Sequence, residues 1–238
     1  MVSATRHRTQ ATPGHGEPVE AVAVSPRRLL HGVWPNLPTL LCASVAVCVA
    51  ATVPVLVAPG VNPVAVALYA LLVAPAATAL ADTVTRIGGT GRASVRGFTV
   101  RLVRLWPFAA RQALVPAVAA VLLLAALQAW AATGSLLLLP SVALTGAATV
   151  LAVPAAMAAL ILGAARPGLR GRALWVTALH LVARRPVRFA AALCLVVLGV
   201  WAAASWSASL LLLLPAPAAV VAVAAVWTTA AELPTARH

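Results

Sequence analysis

The sequence predicts an all-α integral membrane protein with six transmembrane helices, N-in and C-in, and two cytosolic amphipathic interfacial helices. Composition is the first of three observations that predict it. Of 238 residues, 63% are hydrophobic and 9% charged, with a mean hydropathy of +1.01. A soluble domain carries about a quarter charged residues, so too few polar groups exist here to cover a water-facing surface. Run length is the second. The apolar residues form continuous stretches of about twenty, which cross a ~30 Å hydrocarbon core as a helix. A backbone in lipid must satisfy its own amides, as helices or a closed barrel. A barrel needs roughly ten-residue strands of alternating polarity, and this sequence has none. The third is charge placement. All 17 basic residues are arginine: four near the N-terminus, six in 82–111, six in 163–188 and one at the C-terminus. Six spans put these regions on one side, and the positive-inside rule makes that side the cytosol.

Residues 1–36 read as a disordered basic cytosolic tail and an interfacial approach containing Trp34. No apolar run follows Arg6 and Arg8 closely enough to form a signal peptide. The six-helix transmembrane domain is 37–231. Its first span, 37–58, ends at Pro59-Gly60-Val61-Asn62-Pro63, and the second is 64–81. The third, 112–132, ends at Thr133-Gly134-Ser135. The fourth, 136–162, holds Pro140 and Pro154 as kink sites. The fifth and sixth are 189–205 and 210–231, and 232–238 is a cytosolic tail. The seven tryptophans fall near span ends or on the basic helices, where a ring with one polar N–H prefers the lipid–water boundary.

The basic segments carry the candidate site. In 94–106, Val95, Phe98, Leu102, Leu105 and Trp106 share one helical face, and Arg96, Arg101 and Arg104 occupy the rest. Such a helix lies flat on a membrane, rings in the acyl boundary and guanidinium groups among phosphates. In the second segment, Trp175, Ala178, Leu179, Val182 and Ala183 face one way, with Thr177, His180 and Arg184 opposite. The expected membrane-surface or partner contacts are Arg96, Phe98, Arg101, Leu102, Arg104, Trp106, Trp175, Arg184 and Arg185. A weak repeat pairs 94–162 with 173–231, matching Trp106-Pro107 to Arg185-Pro186.

Catalytic chemistry finds little to work with. No Asp, Glu, Lys, Arg or His falls mid-span, where proton relays and ion pathways keep theirs. Asp82 and Glu232 read as solvated span-end residues, Asp82 pairing with Arg86 four residues on. Cys42, Cys48 and Cys194 show no metal-ligand spacing and read as small hydrophobes. No P-loop, nucleotide fingerprint or nucleophile–base set is present. The expectation is no enzyme, no cofactor, no metal and no nucleic acid partner.

Short pieces of the sequence bear a likeness to a known family. They are Val53-Pro54-Val55, Pro59-Gly60, Ala67-Leu68-Tyr69, Gly97-Phe98 through Arg111-Gln112-Ala113-Leu114, and Ala178-Leu179-His180-Leu181 through Arg185-Pro186. In this order, over roughly 37–205, the chain resembles the YesL-like bacterial multi-pass membrane proteins, a family defined as a domain of unknown function. It departs from them in a longer, Gly-rich linker at 86–93 and in low aromatic content. The resemblance implies a transport-associated role, since members often lie beside sugar-uptake genes. It carries over no catalytic or binding residues.

The expected function is a non-enzymatic multi-pass protein of the bacterial inner membrane. It would be an accessory or permease-like component of solute uptake, with anionic headgroups and transporter subunits as partners. The alternative is an autonomous transporter or channel without an intramembrane charge relay.

Overall fold

The structure, a computed structural model, describes residues 26–166, 168–207 and 209–232. The tail expected over 1–28 lies outside them up to residue 25, as does 233–238. Among the described residues there are helices and no strands. The helices are α1 (Pro26–Val33), α2 (Leu37–Val57), α3 (Pro63–Thr90), α4 (Val95–Thr133), α5 (Leu136–Ala165), α6 (Gly171–Arg184), α7 (Pro186–Ser205) and α8 (Leu210–Ala231). Six of them, α2, α3, α4, α5, α7 and α8, are long and apolar enough to cross a membrane.

The connections at 91–94 and 166–170 join helices at the end that carries the arginines. Those at 58–62, 134–135 and 206–209 join them at the arginine-free end. Turn chemistry follows the sequence. Gly91 and Gly134 close α3 and α4 at φ 73° and 61°, a left-handed conformation that only glycine adopts without cost. Asn62 and Ser94 cap the N-termini of α3 and α4, accepting from the amides of Ala65 and Gly97 at 2.8 and 3.1 Å.

Two elements differ from the sequence reading. The segment 94–106 and the third span form one continuous helix of 39 residues, running through Pro107 and Pro116. At 1.5 Å per residue α4 is roughly 58 Å long, nearly twice the thickness of a ~30 Å hydrocarbon core. The counterpart segment does break. Arg185 leaves the helical region (φ −138°, ψ 63°) and Pro186 opens α7, at a position needing no amide partner. The two halves of the suggested repeat thus differ at their matched x-Pro.

The 29–36 approach packs against the bundle. Helix α1 packs on the end of α3, with Leu29 buried and Gly32 against Ile87. A Cβ on Gly32 would stand 2.6 Å from Ile87 Cγ2. Asn36 fastens this corner. Its Nδ2 donates to the carbonyls of Gly32 (2.8 Å) and Gly91 (3.0 Å), and its Oδ1 accepts from Ala93 N at 2.9 Å.

The core sits at the arginine-bearing end. Its largest fully buried side chains include Phe189, Leu29, Ile87, Leu162, Leu174 and Leu181. Towards the other end the packing opens. The α4–α5 hairpin stands largely free of the other helices there, with Leu144 and Val150 more than 70% exposed.

Candidate functional site

The arginine-bearing end collects most of the residues singled out from the sequence. The first turns of α4 set Ser94, Arg96, Gly97, Val100, Arg101 and Arg104 around an open depression of about 370 Å³. Arg96 and Arg104 are exposed on it. The opposite face of the same turns meets protein. Phe98 is 4% exposed and belongs to the core, and Leu102 packs partly against that core. Phe98 is therefore not a surface contact as the sequence suggested. An apolar helical face has the same pattern whether lipid or a neighbouring helix covers it.

Arg101 points across to α3 and ion-pairs with Asp82. Asp82 is not the solvated residue expected. It is 6% exposed, held by Arg101, with Arg86 Nε at 3.6 Å. Burying a carboxylate is costly unless it is paired, and two arginines pair it from two helices. The pair fixes the register of α4 on α3.

Trp106 is half-buried. So is Trp175, whose indole Nε1 donates to Gln112 Oε1 at 2.6 Å, tying α6 to α4. Arg184 is exposed at the end of α6. Arg185 is engaged by Glu232, Nε to Oε2 at 3.2 Å, while Arg188 Nη2 reaches Oε1 at 2.7 Å. Arg188 Nη1 also lies 3.4 Å from the hydroxyls of Thr228 and Thr229. This clamp closes α7 on α8 just past the span. The hydrogen bond from Arg188, with the charges of both arginines, holds the Glu232 carboxyl below its ordinary range. Trp227, expected at a wet boundary, is instead 8% exposed, with the Arg166 guanidinium 5.6 Å above its ring.

The second feature is a cleft of about 810 Å³ between the spans, walled by α2, α3, α5, α7 and α8. Two irregular segments border it. Residues Tyr69–Val73 of α3 form a π turn, in which Ala74 N donates to Tyr69 O. Pro75 follows directly. Proline lacks an amide and crowds the carbonyl four residues back, and the wider turn makes room for it. In α8 the backbone stays helical through Leu214 (φ −65°, ψ −42°), but Pro215 follows it and lacks an amide to donate. Pro215 cannot serve the Leu211 carbonyl, and Cys48 Sγ of α2 takes that role at 3.1 Å.

Sequence reasoning singled out neither Arg188 nor the clamp. An arginine just inside a proline-started span, facing an acid just past the next span, was the available signal. The Cys48 contact had half a signal, a carbonyl orphaned by Pro215. Among the described residues no group of three His, Cys, Asp or Glu side chains is placed to hold a metal ion. No protein-family model, no curated protein and no solved structure matches this chain.

Proposed function

We propose that this is a multi-pass protein of the bacterial inner membrane, N-in and C-in, acting as a non-enzymatic accessory or permease-like component of solute uptake. The supporting observation is the contrast between a basic surface and an apolar interior. Arg96, Arg104 and Arg184 are exposed at one end, and each basic residue near an anionic surface is worth about 1 kcal/mol. The cleft between the spans is walled mostly by Ala, Val, Leu and Ile, with Thr52, Thr78 and Tyr69 as its hydroxyl-bearing residues. A sugar, the solute implied by the YesL-like resemblance, would find few free hydrogen-bonding groups there. Uptake would then run through a partner, with this chain holding that partner or the lipid around it. No nucleic acid enters this reading, because the positive-inside rule accounts for the arginines.

The test is purification of the tagged protein from its own membranes in mild detergent, with mass spectrometry of what accompanies it. Transporter subunits are expected with the wild type and not with Arg96, Arg104 and Arg184 all changed to Glu. Recovery of the chain alone would contradict the accessory role. A second reading, an autonomous transporter, draws support from the irregular π turn of α3 beside the cleft, since irregular helices border transporter binding sites. Solute flux in proteoliposomes containing only this chain would favour it.

A further inference from the structure

We propose that the cleft is a binding site for one acyl chain of a bilayer phospholipid, entering sideways from the membrane. The cleft offers little to a polar occupant. Its two threonine hydroxyls are engaged on their own helices, Thr52 Oγ1 donating to Cys48 O at 2.8 Å and Thr78 Oγ1 to Ala74 O at 2.7 Å, and the third lining hydroxyl, that of Tyr69, stands at the open rim. The Cys48 thiol is spent on Leu211 O. A buried water needs two to four polar partners, so water does not fill this space. Left empty, its walls would forfeit the dispersion contacts that hold helices together in lipid.

Position and size select the occupant. The cleft follows α3 from Tyr69 to Ala81, roughly 18 Å at 1.5 Å per residue. That is close to one leaflet of a ~30 Å hydrocarbon core. Its volume falls within the ~300–1,000 Å³ of ordinary ligand pockets. Towards the arginine-bearing end the same helices contribute Val84, Leu162, Phe189 and Val226 to the buried core. At the other end its rim is open: Val55, Tyr69 and Val200 are 54%, 40% and 50% exposed. A bilayer chain therefore reaches it without crossing water. The π turn of α3 and the proline step of α8 both border the cleft.

The test uses the full chain in phospholipid nanodiscs doped with a phospholipid bearing a diazirine on one acyl chain. After photolysis, labelled residues are mapped by mass spectrometry. Labelling at Tyr69, Val196 and Ala219 is expected to exceed that at Leu144 and Val150, which face lipid with greater exposure. Filling the cleft by Ala219→Leu, or separately Ala77→Leu, is expected to lower the cleft label about fivefold, the factor ~1 kcal/mol is worth, while label at Leu144 stays unchanged. The wild-type label map stands even if one variant fails to fold. Labelling that simply tracks exposure would mean ordinary boundary lipid and would overturn the proposal. Full labelling in both filled variants would overturn it too, as would an isoprenoid chain recovered from the purified protein in place of phospholipid.

Discussion

The two ends of this bundle are built from the same helices in opposite ways. At the arginine-bearing end, helices meet through large buried side chains, two ion-pair clamps and the Asn36 corner. At the arginine-free end the side chains buried are small: Pro54, Ala58, Ala65 and Ala203. In lipid, apolar burial adds no hydrophobic driving force, since the solvent is as apolar as the core. Packing and polar contacts must do the holding, and both are concentrated at one end.

That contrast can be broken in order of expected effect. Arg101→Ala removes the main partner of buried Asp82. Removing one member of a buried pair costs about 3–5 kcal/mol, and the lower end applies because Arg86 remains nearby. Thermal unfolding in detergent should show the loss, and Arg101→Lys should restore part of it. Phe189→Ala comes next. It leaves a cavity of ~100 Å³, which at ~24 cal/mol per Å³ costs about 2 kcal/mol. Val196→Ala, on the open half, should cost well under ~1 kcal/mol by the same measure. Equal losses at these two positions would erase the distinction between the ends.

Asn36→Ala should cost about 1–2 kcal/mol, since it leaves the Ala93 amide and the Gly91 carbonyl without this partner. Its signature is faster amide exchange at 91–93. The smallest effect is the Glu232 clamp, which is exposed to solvent and screened by salt. Its carboxyl titrates below the ordinary glutamate range when folded. The clamp therefore contributes above the unfolded pKa and is lost as pH falls through the folded one. The melting difference between wild type and Glu232→Gln should be present at neutral pH and vanish in acid. A difference that grew on acidification would refute the assignment.

The spans were legible because apolar length is a local property of the chain, and the turns because Gly and Pro act where they stand. Long-range partners were not. Asp82 reads as paired with Arg86 because four residues is helical spacing, and that pair is present at 3.6 Å, but its second partner, Arg101, stands nineteen residues on and on another helix. Phe98 reads as lipid-facing because periodicity finds an apolar face without naming what covers it. The continuity of α4 through Pro107 was hidden because proline normally ends or kinks a helix.

The account requires the two ends to lie on opposite faces of the membrane. Single cysteines at Gly60, Gly134 and Ser207, and separately at Arg92 and Arg170, would be placed in a chain lacking Cys42, Cys48 and Cys194. A membrane-impermeant maleimide applied to intact cells with a permeable outer layer should label only the first three. Positions 92 and 170 should react only in inside-out vesicles. Labelling of 92 or 170 from outside would contradict the account.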